Sequence, residues 1–598
     1  MLKKLTAFLL AGAMICSFAA CRAAPSGETA TPVQSGPVET VAPVQDGAGE
    51  SGGIVTSLEK IDMSKWQYHE DDDIYYQIGI SYCETPVAGN YETLAIFVPG
   101  AYFSATENGD GTYACVVNAA AMINGYAAKT APIVMPIETP GYSAMAALTA
   151  YTNVTEYTKE GFVYVHAGCR GRDDGAPAGV TDLKAAIRYL RYNDDVVAGS
   201  AERIFVFGMS GGGAQSALVG ATGDSALYEP YLEQIGAVQG VSDAVYGSMC
   251  WCPITNLDSA DAAYEWMMGA TRSGLSAEEQ AISDALAAAF AGYINQAGIK
   301  DEDGNVLILE PSESGIYQAG SYYDYMVGVI ESSLNDFLSD TEFPYNASAS
   351  SKMGRGPGGM GGFGGRGGNG GFGGPGDVPY EEKDGIARAE ITNGVTSSGI
   401  YETPEDYIDS LNANGTWIIY DAATNTAGIT SVEAFAKAFK SASKSLGAFD
   451  QLNAGQGENT LFGYGDGKGA HFDAALSEIL KDLGSGYAAD FAADLQKTDS
   501  VGYTVDQRLN MYTPLYYLLE SQEGYGAGTP AKYWRIRSGI AQSDTSITTE
   551  ANLALALMNY DGVESVDFAT VWGQQHVKAE RTGDSTTNFI NWVHNCLA

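Results

Sequence analysis

Arg203-Ile204-Phe205-Val206-Phe207-Gly208-Met209-Ser210-Gly211-Gly212 sets a run of strand-forming residues directly against a Gly-x-Ser-x-Gly pentapeptide. Ile204 to Phe207 reads as a buried strand, and the Gly-Ala-Gln-Ser-Ala-Leu that follows Gly212 reads as the start of a helix. A serine at such a junction sits on a tight, strained turn that projects its hydroxyl above the sheet, and glycine on either side lets neighbouring backbone come close. Chance matches to this short pattern are common in a chain with 74 glycines, so the strand-turn-helix context carries the reading. The helix N-terminus places the Gly211 amide where a developing oxyanion would be stabilised. A second donor is expected within Glu138 to Tyr142, after an earlier strand.

Outward from this turn, the chain alternates strands and helices. Asp73–Cys83 and Tyr91–Pro99 read as β-rich runs, Ala131–Ile137 and Phe162–His166 as short strands, and Val180–Tyr192 as a helix. Tyr246–Ile254 is a further core strand. The pattern predicts an α/β protein: a mostly parallel sheet with helices on both faces. Alternation then stops. Helical segments (Ala277–Ala297, Tyr322–Leu338, Val432–Ser443, Phe472–Leu483) fill residues 255–525, read here as a large, mainly helical lid inserted into the sheet domain. Within it, 15 of the 23 residues from Gly354 to Gly376 are glycine, and ordering them would cost too much backbone entropy, so a disordered loop is expected. Strand Lys532–Arg537, helix Thr548–Met558, strand Ser565–Trp572 and helix Ser585–Cys596 complete the core, which spans 55–254 and 526–598.

A serine hydroxyl needs a base to act as a nucleophile, and the chain has five histidines. His69 precedes the first β-rich run, His166 ends an early strand, His471 lies in the insertion and His594 in the last helix. His576 alone follows the final strand, where this architecture places its base. The orienting acid should follow the preceding strand, where Asp544 and Glu550 are the only acids between Ala531 and Tyr560. Glu550 falls inside a helix, so Asp544 completes the order serine, aspartate, histidine of an α/β hydrolase.

The formal charge of -41 repels phosphate backbones and anionic lipid head groups, which argues against nucleic acid as a partner. Lys3, Lys4 and the apolar stretch to Ala20 read as an export signal. Phe18-Ala19-Ala20-Cys21 resembles a bacterial lipobox, making Cys21 the expected lipid anchor and the extracellular face of the membrane, or a periplasmic-facing one, the expected location. An uncleaved anchor helix is the alternative. Residues 21–54 lack large apolar groups and read as a disordered tether. The other six cysteines show no metal-ligand spacing beyond Cys250-Trp251-Cys252, which fits small buried thiols better than a metal site. Neither a metal nor a cofactor is expected.

Gly-Met-Ser-Gly-Gly-Gly-Ala-Gln-Ser-Ala-Leu (208–218), Tyr228-Glu229-Pro230-Tyr231-Leu232, Cys252-Pro253-Ile254-Thr255-Asn256-Leu257 and Ala260-Asp261-Ala262-Ala263-Tyr264-Glu265-Trp266 resemble the bacterial tannases, lid-bearing esterases related to feruloyl esterases. The resemblance implies hydrolysis of gallate- or ferulate-like phenolic esters, with the lid recognising the ring hydroxyls. It implies a contributing lid lysine, matched here to Lys468, and an acid two residues past the triad acid, where this chain has Ser546. A serine peptidase or carbohydrate acetyl esterase on the same fold, and a non-catalytic surface glycan or solute binder, are the rival readings.

Overall fold

The computed structural model describes residues 53–313, 317–347 and 399–598. The export signal, Cys21, the tether up to residue 52 and the glycine-rich stretch lie outside the described residues. Among the described residues, nine strands form one sheet: β1 (Gln67–His69), β2 (Ile74–Ser81), β3 (Thr93–Pro99), β4 (Ile133–Ile137), β5 (Val163–Ala167), β6 (Ile204–Met209), β7 (Gly247–Trp251), β8 (Tyr533–Gly539) and β9 (Ser565–Val571). Their order is β1-β2-β3-β5-β4-β6-β7-β8-β9. The first three pair antiparallel, β3 meets β5 antiparallel, and every pairing from β5 to β9 is parallel. The α/β-hydrolase fold expected from the alternation is therefore present, with β6 between β4 and β7 in its interior.

Side-chain alternation along β6 explains why helices cover both faces. Helix α1 (Ala178–Tyr192) precedes β6, and α2 (Gly211–Ala221) follows it. On the α2 face, Ser248 donates to the Ser216 carbonyl at 2.9 Å, and Gly220 meets the edge of the Trp534 ring, where any side chain would collide. On the opposite face Phe205 and Phe207 pack against Trp592 and Phe589, at ring-centroid distances of 5.6 and 4.3 Å.

The chain leaves the sheet after Trp251 and rejoins it at Tyr533, where β7 and β8 pair directly. Between them lie α3 (Ala260–Met268), α4 (Ala277–Ala297), α5 (Ser321–Asp340), α6 (Val432–Phe439), α7 (Gly457–Leu461) and α8 (Ala474–Asp482), along with further short helices such as Pro404–Leu411 and Val505–Met511. This segment is anchored on the sheet's second half, where Trp572 stacks on Phe439 at 4.6 Å and donates to the Tyr407 hydroxyl at 2.9 Å. It also holds a hairpin, Ile418–Asp421 with Thr426–Ile429, that the sequence pattern does not announce; another, Phe103–Glu107 with Tyr113–Val117, follows β3. Runs of four or five residues are too short for alternation to show. After β8 and β9 come α9 (Ile547–Met558) and the closing α10 (Ser585–Leu597). Among the described residues the six cysteines are free thiols.

Phe589, on α10, is fully buried against the sheet. Phe589→Ala should therefore lower stability by about 3–5 kcal/mol, read as a lower midpoint in chemical or thermal unfolding.

Candidate active site

Ser210 occupies the turn between β6 and α2 with φ 59° and ψ -124°, a left-handed conformation that a non-glycine residue adopts only under constraint. The constraint is visible. Its N–H donates to the Trp251 carbonyl and its carbonyl accepts from Ala214, both at 2.9 Å. Two glycines make the turn possible: a Cβ on Gly208 would lie 2.4 Å from the Gly212 carbonyl oxygen, and one on Gly212 would lie 2.1 Å from that of Ile137. Strand, turn and helix are thus packed backbone against backbone.

His576 reaches this hydroxyl from the loop after β9, with its Nε2 2.8 Å from Ser210 Oγ. The loop is pinned from beneath. Gln574 donates to the Glu580 carbonyl at 2.7 Å, and the Glu580 carboxylate binds Arg535 through both oxygens, at 2.7 and 2.6 Å, and the Trp251 indole at 2.8 Å. Cys252 donates to the Val577 carbonyl at 3.2 Å, holding the residue beside the histidine.

Asp544 comes from the turn after β8, with a carboxylate oxygen 3.7 Å from His576 Nδ1, close enough for charge attraction but longer than a hydrogen bond. Burial works to raise this carboxyl's pKa, but the charges of His576, Lys444 and Lys440 hold it below the ordinary aspartate value. Burial likewise opposes a charged His576 ring, yet the Asp544 carboxylate and the Cys252 sulfur push its pKa up to about 9. The structure thus brings Ser210, Asp544 and His576 together in the order expected.

The Gly211 amide is the first of the α2 N–H groups that no helical carbonyl can satisfy. Beside it runs the loop after β4, where a Cβ on Gly211 would lie 3.1 Å from the Gly141 nitrogen. Within the expected 138–142 segment the Tyr142 amide is already committed to the Thr139 carbonyl at 2.9 Å.

The other histidines are engaged elsewhere: His69 with Asp72 at 3.0 Å, His166 with the Ala146 carbonyl at 2.8 Å, His471 with Asp450 at 2.7 Å and His594 with the Tyr126 hydroxyl at 2.8 Å. Lys468 does not take the place expected of it. Its side chain is 80% exposed and its ammonium pairs with Asp466 at 2.7 Å, within a glycine-rich turn facing solvent. Lys444 does lie beside the triad acid, with its ammonium 4.0 Å from the Phe449 ring centre. Burial works against its charge, but Glu458 and Asp544 outweigh it and raise its pKa. Glu458, buried at the start of α7, faces both Lys444 and Tyr142. Lys444 lies in the irregular stretch after α6 and Glu458 in the first turn of the five-residue α7, where no periodicity marks them. Ser546, two residues past Asp544, caps α9 by accepting the Thr548 N–H.

A family model, BD-FAE, matches residues 122–289, the part of the chain that carries Ser210. Among solved structures, tannin acyl hydrolase from Lactobacillus plantarum is 27% identical, with a TM-score of 0.61, and the match covers 88% of this chain and 94% of that one. The chain is similar to the tannases and has their α/β-hydrolase fold. A Fusobacterium nucleatum tannase agrees, at 25% identity and TM-score 0.62, over 92% of this chain and 99% of its own. No curated protein sequence matches. With this fold and these relatives, the tannase-like enzyme is a carboxylic ester hydrolase.

Because the Asp544 charge lifts the histidine, the His576 ring should titrate well above the usual 6.5, towards about 9. Asp544→Asn should bring that midpoint down, measured by NMR on histidine-labelled enzyme; an unchanged midpoint would contradict the pairing.

Proposed function

We propose that this tannase-like enzyme hydrolyses gallate- or ferulate-like phenolic esters, with Ser210 as nucleophile, His576 as proton carrier and Asp544 as the orienting carboxylate. The observation that carries the reading is the 2.8 Å contact between His576 Nε2 and Ser210 Oγ at the strained turn. Ser210 attacks the ester carbonyl while His576 takes its proton. The oxyanion that forms is held by the Gly211 and Gly141 amides. The imidazolium then donates its proton to the departing alcohol, and water, activated by the same histidine, releases the acid. Asp544 stabilises the imidazolium throughout.

The phenolic substrate class is supported by relatives whose structures hold ethyl gallate or 3,4-dihydroxybenzoate. In this chain Lys444 and Glu458 offer a cation and a carboxylate side by side, a pair suited to adjacent ring hydroxyls. Ser546, committed to capping a helix, supplies no third charged partner, so ring recognition rests on that pair. Residues 255–525 would act as the lid over the acyl group. The export signal and Cys21 support an enzyme tethered by lipid outside the cytoplasmic membrane, acting on small soluble esters.

Ser210→Ala should reduce turnover by about 10³-fold or more, measured on methyl gallate and methyl ferulate. Acetylated xylan and aminoacyl esters should be poor substrates; preference for either would assign the fold a different chemistry. Glu458→Gln should raise KM for the phenolic esters about tenfold while leaving 4-nitrophenyl acetate, which lacks ring hydroxyls, nearly unaffected. Equal effects on both would remove Glu458 from ring recognition. Cys21→Ala should move the enzyme from the membrane fraction to the soluble one.

A further inference from the structure

The turn that presents Asp544 is folded around one amide side chain. The Gln542 side-chain oxygen accepts the N–H groups of Asp544 and Thr545, at 2.9 and 3.1 Å, while its amide nitrogen reaches the Thr545 hydroxyl and, at 3.4 Å, the Glu550 carboxylate. That leaves the main-chain carbonyls of the two residues before Asp544 to be satisfied, and both turn to the insertion. Lys440 donates to the Gln542 carbonyl, while the Tyr264 and Ser443 hydroxyls donate to the Ser543 carbonyl at 3.0 and 3.2 Å. The Tyr264 oxygen also accepts the main-chain N–H groups of Ser443 and Lys444, each at 3.0 Å.

We propose that Tyr264 and the segment 440–444 of the insertion are positioning residues for Asp544, so that the lid and the triad acid move as one unit. This rests on the catalytic reading given above. Three facts carry it. The three donors come from the insertion and bind consecutive carbonyls immediately before the acid. The Asp544 to His576 separation of 3.7 Å is one that a shift of under an ångström turns into a hydrogen bond, so whatever sets the turn sets the pairing. Finally, the hydroxyl that holds Ser543 also holds the backbone of Lys444, whose ammonium faces Glu458 and Asp544. A ring hydroxyl drawing on Lys444 therefore pulls on the same hydrogen-bond set that fixes the acid. Lys440 itself is wholly buried; burial draws its pKa down to about 8 against the opposing carboxylates of Glu550 and Asp544 and the sulfur of Cys252. Its place is inside the protein, without access to substrate.

The test uses the full chain with two changes that leave no lone buried charge: Tyr264→Phe, which removes one oxygen, and the pair Lys440→Met with Glu550→Gln. Ser443→Ala, at an exposed position, is a third change that the fold tolerates. Each is assayed on methyl ferulate and on 4-nitrophenyl acetate, across pH. The charged and titratable groups facing His576 are Asp544, Cys252 and Lys444, and those facing Asp544 are His576, Lys444 and Lys440. Tyr264→Phe alters none of them, so a displaced pH profile reports their geometry. Tyr264→Phe and the Lys440 pair should lower kcat on both esters by the same factor, about tenfold or more, with KM nearly constant, and Ser443→Ala by less. In Tyr264→Phe the acid limb of kcat/KM should move to lower pH as Asp544 loosens its hold on the histidine. A rise in KM on methyl ferulate alone, with 4-nitrophenyl acetate and the acid limb unmoved, would overturn the proposal and leave these residues a role in binding only; so would no change. The catalytic reading fails separately, if the unaltered enzyme does not need Ser210 for either ester.

Discussion

The contact between His576 and Ser210 joins residues 366 positions apart, and it exists only because the sheet is continuous across a very long excursion of the chain. β7 and β8 pair residue for residue, from Gly247 with Tyr533 to Trp251 with Arg537, although everything from Cys252 to Lys532 intervenes in sequence. Loop closure of that length costs little more than closure of a far shorter loop, because its entropy grows only with the logarithm of length. A fixed catalytic floor can therefore carry a large variable cover. The strain at Ser210 is held by the same floor, through the Trp251 carbonyl at the end of β7 and the Ile137 carbonyl at the end of β4.

The parts legible in the sequence are those governed by long-range regularities. Alternation and apolar runs mark β4 to β9 within three residues, and the order of serine, acid and histidine along the chain follows from the order of the strands. Asp544 and His576 could be read because each follows a strand whose place in the sheet was already clear. Lys444 and Glu458 could not: they are brought to the triad by the packing of an irregular insertion, and nothing in their neighbourhood repeats. Lys468 shows the converse error. The resemblance points to it as the lid lysine, yet it lies on a solvent-facing turn with its ammonium paired to Asp466.

Charge is distributed unevenly for a reason. The chain is strongly acidic overall, while the groups nearest Asp544 include two lysines, Lys440 and Lys444. Together they keep a half-buried carboxylate ionised beside His576. An acidic surface also suits an enzyme whose acid product is an anion, since like charges hasten its departure. The insertion thus contributes to the electrostatics around Asp544.

The most direct test of the central claim is to map where a fluorophosphonate attaches and how fast. The account predicts a single phosphonylated peptide carrying the adduct on Ser210, formed at a rate that collapses when His576 is replaced by glutamine. An adduct on another residue, or one that forms on Ser210 equally fast without the imidazole, would contradict it.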